Sequence, residues 1–385
     1  MADEPAKPAA PAAPAEPAPA ASPAAKDAAA TPAPAAAPAP PVADPKQIRL
    51  LKEFKHDRPL FSCRIDPQGK FVFAGAHDAL IERWEAAGDK KDVFAGHQSW
   101  VRGMAFQPQG ELLCSGDYAG KVNAWRYAAE TAQPPVYTID AHKGWVRAVA
   151  ISADGATMAT AGNDQLIRLW NVADGKLVRE LAGHESHVYN VAFHPSGHLV
   201  SADLKGVIKD WDLATGAAVR QFDASLLWKY DKTFRADIGG ARGFAVSPDG
   251  NWVAAAGITD VTNAFAGVGN AVIALFDWKT GERKQVLRPK KDFQGVAWSV
   301  AFHPAGFIAA SAGGRGAGAL WFFKPDAPEP FFEFKLPAVA RDMALHPDGL
   351  QLAVAHFDNT LRLYDMSPKP AAPAEKPASD APPKT

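Results

Sequence analysis

The stretch from Ile151 to Gly183, ISADGATMATAGNDQLIRLWNVADGKLVRELAG, decides how the rest of the chain is read. It opens on a tight turn closed by Gly155. An apolar segment follows, TMATAG (157–162). A second turn carries Asp164. A third segment alternates apolar and polar residues and ends on Trp170, six residues after that aspartate. A fourth, more polar segment, KLVRELAG (176–183), closes the unit. Pro and Asp before Gly are turn chemistry, because Pro presets φ and Gly accepts the left-handed conformation. Period-two alternation between such turns marks short strands.

Near-copies recur along the chain. The closing turn appears seven times: IDPQG (65–69), FQPQG (106–110), ISADG (151–155), FHPSG (193–197), VSPDG (246–250), FHPAG (302–306) and LHPDG (345–349). The glycines are spaced 41, 45, 42, 53, 56 and 43 residues apart. After each turn come a second strand and a third that ends in Trp84, Trp125, Trp170, Trp211, Phe276, Trp321 or Tyr364. Four short strands per unit, repeated about every forty-odd residues, are the signature of propeller blades. The 3.6-residue period of a helical solenoid is absent.

From about Ile48 to Met366 these residues resemble the WD40 repeat family, roughly four-fifths of the chain. The resemblance implies an all-β, seven-bladed WD40-type β-propeller. One blade fits the pattern fully, with Ala141–His142 between blades, Thr160 on the second strand, Asp164 in the turn and Trp170 at the strand end. In the family such side chains form a hydrogen-bonded chain from Trp through Ser/Thr and His to Asp. Trp170 then packs between blades while its indole N–H finds an acceptor. Other blades depart from the pattern. His56, His97, His142 and His184 hold the histidine position, nine residues before the apolar residue of the turn motif. The aspartate recurs at Asp78 and Asp358 but is replaced by Ala119 and Lys205 in blades two and four. Blades five and six have Asn270 and Arg315 there, lack the histidine, and are expected to lean on apolar packing. Blade seven lacks a fourth strand after Tyr364. Ile48–Phe54, IRLLKEF, has the fourth-strand pattern and no blade of its own, so it is expected to complete blade seven and remove two exposed sheet edges.

The expected domain organisation is an Ala/Pro-rich arm over 1–46, the propeller over 47–366 and a Pro/Ala-rich tail over 367–385. The arms bury too little apolar surface to offset the entropy of ordering and are expected to be disordered. Net charge is −1, which points to neither nucleic acid nor an anionic membrane. Cys63 and Cys114 both lie in apolar runs and are expected to be small core residues, with no disulfide framework and no cysteine metal site. The absence of a signal-type segment and of long apolar runs makes a cytoplasmic protein the expectation.

In this architecture the innermost strands line a central channel, and the family resemblance places the inter-blade and second-to-third-strand loops on one face. Four residues before the turn-motif apolar position stand Phe61, Arg102, Arg147, Tyr189, Arg242, Trp298 and Arg341. Six residues before it stand Pro59, Trp100, Trp145, His187, Gly240, Val296 and Val339. Arg102, Arg147, Arg242 and Arg341 should therefore converge on the channel mouth beside Trp100, Trp145, Tyr189 and Trp298. Such residues anchor interfaces, and Arg pairs bidentately with carboxylates and phosphates. These same arginines could instead pair with acids such as Asp342 or Asp57, or face water. Blade five carries two insertions on the same side, SLLWKYDKTFRADIGGARG (225–243) and ITDVTNAFAGVGN (258–270). Loops of that length in a compact repeat invite a functional reading.

The expectation is a non-catalytic interaction scaffold, a monomeric propeller within a larger complex, binding an acidic or phosphorylated segment of a partner protein, with no metal and no cofactor. No nucleophile–base pair, paired catalytic carboxylates or P-loop stands in the sequence. Two alternatives stay open. One is an enzyme or small-ligand binder with the blade-five insertions as a lid. The other is a rigid hub whose Pro-rich arms do the binding.

Overall fold

The computed structural model describes residues 42–263, 268–291 and 293–368. The expected disordered arms fall largely on 1–41 and 369–385, outside the described residues. The described strands form seven four-stranded antiparallel sheets, spanning residues 60–95, 101–140, 146–181, 188–223, 243–287 and 296–336, with the seventh built from 340–365 plus 49–55. Arg49–Lys55 pairs antiparallel with Thr360–Asp365, so the early strand is the outermost strand of the last blade. Each innermost strand touches the innermost strand of the next blade, around to Ala340–Leu345 against Leu60–Ile65, and the ring is closed. The Asp44 N–H donates to the Met366 carbonyl at 2.8 Å, and Pro45–Gln47 forms one 3₁₀ turn.

Each of the seven Gly-closed turns carries a hydrogen bond from the glycine N–H to the carbonyl three residues back, 2.9–3.3 Å long. Six of the seven glycines have φ between 69° and 88°, which is why this residue type recurs there; Gly110 is the exception. The turns also latch neighbouring blades. His194, His303 and His346 each place Nε2 on the carbonyl of the next blade's turn glycine: Gly250 at 2.9 Å, Gly349 at 2.6 Å and Gly69 at 3.1 Å.

The core is distributed between blades. Seven apolar clusters lie at the seven blade interfaces; between blades one and two, for example, Phe73, Ile81 and Phe94 meet Met104, Leu113 and Trp125. Burial of an aromatic at such a site is worth about 3–5 kcal/mol when judged by truncation to Ala. Cys63 and Cys114 are buried and unbridged, and burial pushes both thiols up, Cys114 to about 12.

In blade three, the Trp170 indole N–H donates to Thr160 Oγ1 at 2.9 Å. His142 Nε2 lies 2.8 Å from the same oxygen, and His142 Nδ1 lies 2.7 Å from Asp164. Burial works the other way, yet the hydrogen bonds from His142 and Arg168 hold the Asp164 carboxyl well below the usual range. Blades two and four correct the sequence reading. They do not lose the aspartate at Ala119 and Lys205. It comes instead from two residues earlier, the last residue of the second strand. Asp117 lies 3.1 Å from His97 Nδ1, and Asp203 lies 3.0 Å from His184 Nδ1. From there one carboxylate oxygen reaches the histidine. The other accepts two backbone N–H groups of the turn, those of Ala119 and Lys121 or of Lys205 and Val207. Ser115 and Ser201 complete these chains to Trp125 and Trp211. In blade six the histidine position holds Phe293, packed edge-on to Trp321 at 5.2 Å, and the buried Ser311 hydroxyl has no partner among the described residues.

Candidate functional site

The rim residues are placed by a repeated backbone irregularity. In six blades the innermost strand carries a β-bulge against its neighbour, and the unpaired residue is Phe61, Arg102, Arg147, Tyr189, Trp298 or Arg341. In blade five Arg242 stands just before the paired strand, its N–H donating to Ala256 at 2.7 Å. A bulge re-aims one side chain out of the alternation of the strand. Here it turns the same register position of each blade toward the channel mouth.

These seven residues line one opening with Trp100, Tyr118, Trp145 and Asn190. The Trp298 ring lies within cation–π range of Arg341 (4.6 Å), Arg242 (5.8 Å) and Arg102 (5.9 Å). Tyr189 lies 4.4 Å from Arg147 and 4.8 Å from Arg242. Arg147 also lies over Trp145 at 4.3 Å. The other half of the rim is aromatic. Phe61, His77 and Trp100 stack at 3.8 and 4.6 Å, Tyr118 and Trp145 stack at 4.1 Å, and Phe357 joins His77 to Arg341. Arginines and rings thus form one closed necklace around the mouth.

His77, Tyr118 and Phe357 were missed from sequence. They share one register: each is the first residue of the second-to-third-strand turn, and its N–H donates to the carbonyl of Pro59, Trp100 or Val339. That position, one residue before Asp78, Ala119 and Asp358, was readable. Trp100 and Trp145 are 41% and 39% exposed and Phe357 44%, unusual for aromatics that are otherwise packed.

The four arginines form no ion pair among the described residues. Asp342 pairs instead with Arg64 at 2.8 Å. Arg102 donates to the Phe61 and Arg242 carbonyls at 2.8 and 3.3 Å, and Arg147 Nε donates to Asn163 at 2.7 Å. Arg341 Nε is buried without a partner among the described residues. Burial, then repulsion from Arg102 and Arg242, pushes Arg341 down to about 10. Burial leads the causes that lower Arg147 as well, with the neighbouring tyrosines opposing and Arg242 and Arg102 adding to it. Beneath the mouth lies a channel cavity of about 320 Å³.

The described parts of the blade-five insertions form a hairpin, Trp228–Asp231 with Ala236–Gly239, and an extension of the strands Trp252–Asn263 and Val268–Asp277. Lys229 Nζ donates to the Val261 carbonyl at 2.6 Å and ties the two together. Tyr230 and Phe234 are exposed at the hairpin. Residues 264–267, at the tip of the second insertion, lie outside the described residues. Among the described residues no group of three or more His, Cys, Asp or Glu could hold a metal ion, and no helix is long and apolar enough to cross a membrane.

Residues 88–126, 133–171, 175–212 and 335–365 match the family model described as WD domain, G-beta repeat. The matched stretches include all three complete Trp–Ser/Thr–His–Asp chains. Among curated relatives, the chain is 28% identical over 165 residues to small ribosomal subunit protein RACK1y of Oryza sativa subsp. japonica, covering 40% of this chain and 47% of the relative. It is 27% identical over 164 residues to target of rapamycin complex subunit wat1 of Schizosaccharomyces pombe, covering 42% and 51%. It is 28% identical over 148 residues to nuclear distribution protein nudF of Aspergillus terreus, covering 38% and 28%. The matches span about half or less of the length of these relatives.

Proposed function

Taking the chain as a WD40-repeat β-propeller, we propose that it is a non-catalytic scaffold that binds an acidic or phosphorylated segment of a partner protein on its Arg- and aromatic-lined face. The observation that carries this reading is the set of four arginines with no counter-ion among the described residues. Arg102, Arg147, Arg242 and Arg341 converge from four blades, each over at least one aromatic ring. The four are half-buried, and like charges partly removed from water are costly unless an anion arrives to pair with them. The stacked rings hold the guanidiniums in place, so less entropy is lost when a carboxylate or phosphoryl group binds. Trp100, Trp145, Tyr189 and Trp298 supply aromatic area of the kind that dominates interface energetics. Two relatives carry names that place them in assemblies, a ribosomal subunit and a target of rapamycin complex. An assembly role for this chain agrees with those names.

The test is affinity capture from native lysate with the full chain and with an Arg102/Arg147/Arg242/Arg341→Ala variant whose fold is first checked by thermal melt. Lysate treated with phosphatase runs in parallel. A partner kept by the parent and lost by the folded variant is expected, with capture falling as salt rises. Loss after phosphatase identifies a phosphorylated segment, and retention identifies a carboxylate-rich one. Equal retention by parent and variant overturns the reading.

A further inference from the structure

We propose that the channel beneath this face is itself a binding site for a small free polyanion of the polyphosphate class. The site lies below the mouth, and the proposal does not depend on the partner reading, although three arginines serve both. The cavity of about 320 Å³ is lined by Arg64, Arg102, Arg147, Arg242, Asn190 and Asp342 among others. That volume is at the lower end for small-ligand sites.

The charge inventory is one-sided. Among the described residues Asp342 is the only carboxylate in the lining, and it is already paired. It pairs with Arg64 at 2.8 Å and accepts the Cys63 and Met343 backbone N–H groups at 3.1 and 2.9 Å. Among the described residues no carboxylate pairs with Arg102, Arg147 or Arg242, and Arg341 stands beside them at the mouth. Each guanidinium carries five N–H donors. Across these four arginines, three hydrogen bonds to protein acceptors form among the described residues. Donors from separate blades surround one compact volume. A planar carboxylate matches one guanidinium edge, whereas tetrahedral phosphoryl oxygens accept from several directions at once. The Arg102 bridge to the Arg242 carbonyl crosses the opening, and Trp298 and Tyr189 crowd it. A free anion fits beneath that bar more readily than a segment of main chain.

The experiment is calorimetric titration of the full chain with sodium pyrophosphate at constant ionic strength, beside sulfate, citrate and a phosphoserine peptide. Melting temperature is read in parallel. Saturable one-to-one pyrophosphate binding is expected, with a stabilisation that follows ligand concentration. Binding should weaken at least tenfold in Arg242→Gln, a side chain with no hydrogen bond to lose among the described residues. Arg147→Gln serves as the second variant if the first melts abnormally. Citrate binding as tightly as pyrophosphate overturns the phosphoryl assignment. An unchanged pyrophosphate affinity in both folded variants, or no saturable heat, overturns the site. Binding of the phosphoserine peptide without pyrophosphate also overturns it, while leaving the partner reading intact.

Discussion

Arg102 of blade two donates from Nη2 to the backbone carbonyl of Arg242 of blade five, 3.3 Å away across the channel mouth. A cation is thus held against the main chain of another cationic residue, with no carboxylate paired to either among the described residues. The arrangement is stabilised by the Phe61 carbonyl and the Trp298 and Tyr189 rings, and it works against like-charge repulsion.

Screening should therefore stabilise the protein. Raising NaCl from about 20 to 300 mM should lift the parent's melting temperature modestly, because these arginines are only half-buried and counter-ions reaching the open mouth screen part of their repulsion. Arg341→Met keeps the packing on Trp298 and removes one of the repelling charges. It should be neutral or stabilising, by up to about 1 kcal/mol or about 1–2 °C in a folded unit of over 300 residues, with a shallower salt response. A loss of stability with an unchanged salt slope would show that the arginines are balanced in the free protein.

The hydroxyls of blades two and six should behave differently. Ser115 accepts from Trp125 and contacts His97, so Ser115→Ala leaves two buried polar groups short of a partner and should cost about 1–3 kcal/mol. The Ser311 hydroxyl is buried with no partner among the described residues, so Ser311→Ala should fall within about 0.5 kcal/mol or stabilise. Denaturant titration of both variants decides it; equal costs would refute the comparison.

Stability should decline in mild acid. Burial lowers the pKa of His194 and His303 against the opposing hydrogen bonds to the Gly250 and Gly349 carbonyls. Burial, with Arg362 adding to it, brings His356 to about 4. Unfolded histidines titrate near 6.5. Below that pH the unfolded chain binds more protons than the folded one, so stability is complete above about pH 7 and falls as pH drops toward the folded values. Melts between pH 8 and 5 should show this decline, and His303→Gln should make it shallower. A flat profile would rule the histidines out as its source.

Gly239 has φ of +108°, and a Cβ there would stand 2.0 Å from the Leu227 carbonyl oxygen. Gly239→Ala should open the blade-five hairpin and leave the ring of blades standing. Limited proteolysis should then cut between Asp231 and Ala236 at least tenfold faster, with little change in the main thermal transition. Unchanged cleavage would mean that the hairpin is held from elsewhere.

Much of this arrangement is legible in the sequence. Pro/Asp-Gly turns at regular spacing impose local geometry, so seven turns implied seven blades, and Ile48–Phe54 was left over to complete the last. The rim was partly legible too, because a repeat puts equal positions in equal places: Arg102, Arg147, Arg242 and Arg341 share a register. The aspartates of blades two and four, Asp117 and Asp203, are not legible at the expected spacing for a physical reason. A carboxylate two residues earlier can reach the same imidazole nitrogen, and spacing alone does not report side-chain reach. Phe293, at the position that holds histidine in other blades, packs its ring on Trp321, in keeping with the apolar packing expected of blade six.

Sequence by itself determined the architecture and the residue types at the rim, since turn chemistry and period-two alternation act over a few residues. Tertiary structure alone decided that Arg102 and Arg242 meet across the channel, that Asp342 is taken by Arg64, and that Phe357, His77 and Tyr118 complete the necklace. These are contacts between blades, set by the bulges that aim each side chain and by the closure of the ring. Both depend on packing between segments far apart in the chain.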